Sequence, residues 1–259
     1  MIEVAARAAV IAAALCGSAR ADDHIVVDTA IVLAVDVSGS MDLEELAVQR
    51  TGYLDALRHP DLARIVAAGR TGRVALTLFE WAGQVREASM VPWRVIDGRP
   101  ALEAFARDLE ALPVRTNHGT SIARAIDYGL ALIASAEFAA DSWVIDVSGD
   151  GPNNIGPPVT EARDRALAAG VTINGLPIVI RPSRGLADLP RYFEDCVIGG
   201  PAAFVMPAAD VAELAPAIRR KLFRELIGGD PPERLRQAAG EPAADCLIGE
   251  RLRRERGQF

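Results

Sequence analysis

Residues 29–35 read Thr-Ala-Ile-Val-Leu-Ala-Val, an almost unbroken apolar run that leads directly into Asp36-Val37-Ser38-Gly39-Ser40. A strand without polar alternation belongs where both faces are covered, as at the centre of a parallel sheet flanked by helices. Residues 36–40 put one carboxylate and two hydroxyls on a short loop. A helix starts soon after. Asp42-Leu43-Glu44-Glu45 has the form of a capping box, and Leu43, Leu46, Ala47, Leu54 and Leu57 can share one helical face. In an open α/β sheet the loop between such a strand and helix is where ligands bind. Carboxylate and hydroxyl oxygens suit a hard divalent cation.

The remainder of the chain repeats the alternation. Arg73 to Trp81 reads as a second strand, and Ala82-Gly83 turns it into a shorter one, Gln84 to Met90, that Pro92 ends. This pair is expected as a hairpin with an antiparallel edge. Ala101 to Leu112 is helical by spacing, Pro113 stops it, and the loop Val114 to Gly119 leads into a helix over Ser121 to Ala136. Ser142 to Val147 is a third core strand, followed by a Gly-, Pro- and Asn-rich loop from Ser148 to Pro158. Glu161 to Ala169 with Gly170 behind it gives a helix and its stop, and Val171 to Ile180 a further strand. A short strand near Phe204 and a helix over Val211 to Leu226 complete the series. Strands alternating with helices specify an α/β, doubly wound, mostly parallel sheet with one antiparallel edge strand and helices on both faces.

Three segments organise the 259 residues. Ala8 to Cys16 is a run of nine apolar residues after Arg7, well short of the roughly 20 a spanning helix needs, and Ala19-Arg20-Ala21 fits a signal-peptidase site. Residues 1–21 are therefore expected to be a leader, 22–227 one domain, and 228–259 a tail with a linker through Pro231-Pro232 and one or two short helices. The expected destination is outside the cytoplasm, periplasmic or secreted, with no transmembrane segment after the leader. Removal of the leader takes away Cys16 and leaves Cys196 and Cys246. An even count in an oxidising compartment allows a disulfide clasping the tail to the domain, and two unrelated buried thiols are the competing reading. A net charge of −7 argues against nucleic acid as a partner. From Arg219 onward the balance reverses to ten basic and seven acidic residues, as a solvated amphipathic helix or a contact for an acidic partner would require. Lys221 is the only lysine, to which no function is attached.

Two further loops can meet the first. Asn117-His118-Gly119-Thr120-Ser121 presents hydroxyls at a helix start, and Ser148-Gly149-Asp150-Gly151 leaves the third core strand. At this point the chain resembles the von Willebrand factor A domain family and its metal-ion-dependent adhesion site, whose pattern is Asp-x-Ser-x-Ser, a later Thr, and a later Asp-Gly. The resemblance covers Thr29 to Leu226 and is narrower still to a set of bacterial exported proteins of this fold with unknown function. It implies that Asp36, Ser38, Ser40, Thr120 and Asp150 surround Mg2+, with Mn2+ or Ca2+ as alternatives, directly or through water. It further implies an open coordination position for a carboxylate from a protein partner. Gly149 departs from the pattern by separating Ser148 from Asp150, so the extra residue bears on where the Asp150 carboxylate lies.

Four residues near this set have two readings each. Glu80 and Trp81 stand at the rim, or are a solvated carboxylate beside a core indole. His118 adjoins the Thr loop or is structural, and with His24 and His59 it offers no zinc spacing. Asp146, within a core strand, braces the site from behind or lies exposed at a strand edge.

The function expected is an exported, cation-dependent protein-binding module without catalysis. The alternatives are a magnesium-dependent phosphate-ester hydrolase with Asp36 as nucleophile, or a metal-free scaffold. Phosphotransferase chemistry on a similar sheet uses a second Asp two residues after the first, and here that place is Ser38.

Overall fold

The computed structural model describes residues 25–181, 186, 188–227 and 243–257. The expected leader (1–21) and the Pro231-Pro232 linker lie outside the described residues. Five strands form one sheet: β1 (Val26–Asp36), β2 (Val74–Trp81), β3 (Val85–Ile96), β4 (Ala139–Gly149) and β5 (Thr172–Pro177), in the order β3-β2-β1-β4-β5. β1 is parallel to both β2 and β4, β4 is parallel to β5, and only β3 runs antiparallel, at the edge beside β2. The doubly wound sheet with an antiparallel edge is as the sequence pattern requires.

Successive side chains of β1 serve different layers. Ile31, Leu33 and Val35 join one core cluster, and Val32 and Ala34 join the other. This is the period-two geometry of a strand buried on both sides. The first layer holds α1 (Leu43–Arg58), α2 (Pro60–Ala68), α3 (Arg99–Ala111) and α7 (Val211–Ile227). Against the other face lie α4 (Ile122–Ala134), α5 (Val159–Ala168), the single turn α6 (Leu189–Tyr192) and a one-turn π-helix, Phe193–Val197. A last helix, α8 (Ile248–Glu255), adds Ile248 to this second layer. Among the described residues no helix is long and apolar enough to cross a membrane.

The local signals at α1 hold in detail. Asp42 accepts from the Glu45 amide at 2.8 Å while the Glu45 carboxylate accepts from the Asp42 amide at 2.9 Å, the reciprocal pair that satisfies two otherwise orphaned donors. The face expected to be buried is different, however. Leu43 and Ala47 are exposed, and the inward face is Leu46, Gln49, Gly52, Tyr53, Ala56 and Leu57. Gln49 and Tyr53 face inward because they lie over the polar end of the sheet, where Gln49 Nε2 donates to the Asp36 carbonyl at 2.9 Å.

Individual elements also differ. β3 does not end at Pro92 but continues to Ile96, because Pro92 is exposed on the edge strand at a break in the β2 register, where no ladder donor is lost. Near Phe204 there is an isolated bridge between Gly175 and Val205 rather than a strand. The short helix α2 was not expected, although Leu62, Ile65 and Val66 have helical spacing and Pro60 follows a His59 side chain that accepts from the Asp61 amide at 3.2 Å.

Candidate metal centre

β1 ends beside β4 on one side and β2 on the other, with Asp36 level with Trp81. The loop leaving β1 therefore opens into the crevice at the carboxyl ends of the strands. Asp36 is fully buried. Its Oδ1 accepts from the Ser38 amide at 2.7 Å, its Oδ2 faces the Asp150 amide at 3.4 Å, and its own amide donates to Ser148 Oγ at 3.2 Å. Each of these bonds fixes the residue from a different direction.

Around it the hydroxyls converge. Ser38 Oγ and Ser40 Oγ are 3.0 Å apart, and Ser40 Oγ donates to Asp150 Oδ1 at 2.7 Å, with Ser38 Oγ 3.4 Å from the same oxygen. The extra Gly149 is accommodated by close packing. A Cβ there would stand 3.3 Å from Asp36 Oδ2 and 3.7 Å from the Trp81 ring, and Asp150 beyond it still reaches both serines.

The second loop is sewn to the first through backbone. The Asn117 amide donates to the Val37 carbonyl at 3.0 Å, and Ser38 and Asn117 form an isolated bridge. Gly119, at φ +77°, packs against Gly83, whose amide donates to the His118 carbonyl at 3.1 Å. Thr120 comes next, buried just ahead of α4. The third loop grips it from the other side. Asn154 Oδ1 accepts from the Thr120 amide at 3.0 Å, and the Asn154 amide donates to the Thr120 carbonyl at 2.8 Å. Asn153 Oδ1 accepts from the Ala123 amide in the first turn of α4 at 3.1 Å.

The neighbours with two readings separate cleanly. Glu80 is neither solvated nor at the rim: it is buried and paired with Arg50, which also donates to the carbonyls of Leu112 and Pro113 and so anchors the start of the Thr120 loop. Burial raises the Glu80 pKa, and Arg50 opposes the rise. Trp81 is a core indole. The His118 ring lies beside Gly39, with Nδ1 4.0 Å from where a Cβ on that glycine would be. Asp146 is not at an exposed edge. It points into the α1–α7 layer, 2.5 Å from Lys221 Nζ, and Lys221 in turn is 2.5 Å from Glu225. Cys196 of the π-helix and Cys246 are bonded to each other. The residues that sequence patterns missed are Gln49, Arg50, Asn153 and Asn154. Only the two asparagines left a trace, as part of a loop rich in turn residues.

The electrostatics have one dominant feature. Burial raises the Asp36 pKa well above its ordinary value of 3.8, the charge of Asp150 raises it further, and the Ser38 and Asp150 amides only partly offset this. Asp150 is shifted in the same direction, chiefly by burial. Two carboxylates held together in this way gain from a cation between them. Among the described residues no group of three or more His, Cys, Asp or Glu gathers as a metal site. The donors present are two carboxylates and neutral hydroxyls, which fit an oxygen-seeking cation better than a soft or borderline one.

Comparison with known proteins agrees with this architecture. No curated protein matches the sequence. Solved structures do match at the level of fold. Proximal thread matrix protein 1 from the mussel byssus superimposes with a TM-score of 0.59 at 15% identity, over 79% of this chain and 49% of that one. The pilus adhesin SpaC from Lactobacillus rhamnosus GG gives 0.57 at 14%, over 78% and 30%. The von Willebrand factor domain of the type V pili tip protein Mfa5 from Porphyromonas gingivalis gives 0.56 at 12%, over 78% and 96%. This chain thus spans about half or less of the first two proteins' length and nearly the whole of the Mfa5 domain. A further structure of the mussel protein, with a TM-score of 0.54 at 14% identity over 79% of this chain and 49% of that one, is described as having a zinc-occupied MIDAS motif. The fold is that of the von Willebrand factor A domain, and with a match extending over residues 26–230 the chain belongs to the family described as "Protein of unknown function (DUF1194)".

Proposed function

We propose that Asp36, Ser38, Ser40, Thr120 and Asp150 hold a divalent cation, Mg2+ in the first instance with Mn2+ or Ca2+ as substitutes, and that the chain is a cation-dependent protein-binding module. The observation that carries this reading is the pairing of a fully buried Asp36 with Asp150 beneath two serine hydroxyls, with both carboxyls shifted upward by burial. A centre with two carboxylates and neutral oxygens leaves the cation electron-poor, so a carboxylate from a protein partner completes its shell. The kinds of protein that share the fold, a byssal matrix protein and two pilus proteins, support an interaction role. The apolar run and small-residue site at residues 1–21 support export to the periplasm or beyond, with 22–227 as the working domain and 228–259 as its tail.

Catalysis is not part of the proposal. Both Asp36 oxygens face backbone amides in the interior, and Ser38 stands where phosphoryl transfer would need a second carboxylate. The test is thermal unfolding of the chain without residues 1–21. A cation present at a hundred times its Kd stabilises the native state by about 2.7 kcal/mol, or about 5–10 °C for a domain of this size. Mg2+ or Mn2+ is expected to raise Tm, chelator to reverse the rise, and Asp36→Ala to abolish it. An unchanged Tm at millimolar metal overturns the proposal.

A further inference from the structure

The C-terminal helix α8 is distant in sequence from every candidate ligand, yet it rests on the loop that positions two of them. Its approach begins at the disulfide between Cys246 and the buried Cys196, and the Ala244 amide adds a bond to Asp195 Oδ2 at 2.8 Å. Ile248 then enters the second core layer. At the next residue the helix touches the metal loop backbone to backbone, since a Cβ on Gly249 would fall 2.0 Å from the Asn153 carbonyl oxygen. Glu250 Oε1 accepts from Asn153 Nδ2 at 2.7 Å. One turn on, the Arg253 guanidinium lies 3.8 Å from where a Cβ on Gly119 would be.

Asn153 is the point of convergence. It is fully buried, its amide donates to the Tyr192 hydroxyl at 3.1 Å, its Nδ2 also donates to the Pro157 carbonyl at 3.0 Å, and its Oδ1 holds the Ala123 amide. The adjacent Asn154 is the residue that brackets Thr120 through both amide and carbonyl. Asp150 begins the same loop. A side chain fixed in this way transmits the position of α8 to the start of α4 and so to Thr120.

We infer that α8, clasped by the Cys196–Cys246 disulfide, is a strap that holds the Thr120 and Asp150 loops in the arrangement the cation needs, with Glu250 and Asn153 as positioning residues. This rests on the cation reading above, but the strap itself can be measured without metal. Outer-shell partners that orient ligands affect affinity without touching the ion. Gly249→Ala is the sharpest probe, because alanine favours the helix itself and the contact it violates is with the Pro152-Asn153 segment, above all the Asn153 carbonyl. The disulfide is untouched.

The experiment pairs Mn2+ titration, read from the free-ion electron paramagnetic resonance signal, with amide hydrogen exchange in the metal-free chain. Gly249→Ala is expected to weaken Mn2+ binding about tenfold. The amides of Thr120, Ala123 and Asn154 should exchange faster while those of β1 keep their protection. Glu250→Ala should act in the same direction, and Glu250→Gln, which keeps an acceptor for Asn153 Nδ2, should restore both readouts. Wild-type Mn2+ affinity and wild-type exchange at these three amides in both Gly249→Ala and Glu250→Ala overturn the strap. If the wild-type chain binds no Mn2+, the cation reading fails instead, and the exchange measurement still decides whether α8 holds the loop.

Discussion

Two carboxylate pairs lie against the same sheet and have different surroundings. Asp146 and Glu225 are buried between β4 and α7 with the chain's only lysine, Lys221, 2.5 Å from each, and Asn174 Nδ2 adds a bond to Glu225 Oε1 at 2.8 Å. Asp36 and Asp150, at the end of β1 and just beyond β4, meet serine hydroxyls and backbone amides instead. The first cluster supplies its own ammonium ion from an internal side chain, so it is a structural joint between sheet and helix. In the second, the buried Asp36 is met by neutral amide and hydroxyl groups, and the cation proposed above would come from solution. The difference lies in which element covers each pair: a helix carrying a basic residue in one case, loops carrying hydroxyls in the other.

Removing the internal cation is expected to have the largest effect. Lys221→Met leaves two carboxylates buried without their counter-ion, and breaking a buried ion pair costs about 3–5 kcal/mol. Urea denaturation measures this directly, and a loss below about 1 kcal/mol would break the comparison, since the lysine would then not be the joint.

The next effect is a pH dependence. Glu225 is raised from its ordinary value of 4.5 to about 7, first by burial and second by Asp146, with Lys221 and Asn174 opposing. Tyr53, also buried against this cluster, is pushed up by burial and then by Asp146. A carboxyl whose folded pKa is raised binds its proton more tightly in the native state. Its contribution to stability is therefore present below about 4.5 and is lost as pH rises through about 7. Glu225→Gln should flatten that part of the stability curve in chelator. A wild-type slope in the variant would assign the dependence to other groups.

The smallest effect is expected at the other pair. In metal-free protein Asp36→Asn removes a buried charge beside Asp150 and keeps an oxygen for the Ser38 amide, so stability should stay within about 1 kcal/mol of the wild type or rise. The same variant should no longer respond to Mg2+. A metal-free loss as large as that of Lys221→Met would make both clusters structural and erase the distinction.

How much of this was legible depends on the range of the interactions. The capping box Asp42–Glu45 links residues three positions apart, and both of its bonds are present. β1 announced itself by composition, because a strand buried on both faces has no polar alternation to hide it. By contrast, nothing near Gln49 marks it as a partner of Asp36 and Ser148, and a hydrophobic-face reading of α1 favoured Leu43, which is exposed. Lys221 passed as compositional background because its partners lie 75 residues away on β4 as well as one turn along its own helix.

Chain-local signals were enough to specify the succession of strands and helices, the antiparallel edge and the start of α1, whereas the choice of the five oxygen-bearing residues rested on the resemblance to the von Willebrand factor A pattern. Periodicity, caps and turns carry that information, because the interacting groups are chain neighbours. The assembled fold was needed to show that Asp146 meets Lys221, that Arg50 removes Glu80 from the rim, that Gly149 lets Asp150 approach Asp36, and that α8 reaches Asn153. Each of those depends on strand order and on which surfaces are buried together, and a buried charge or amide finds its partner wherever the packing brings one within reach.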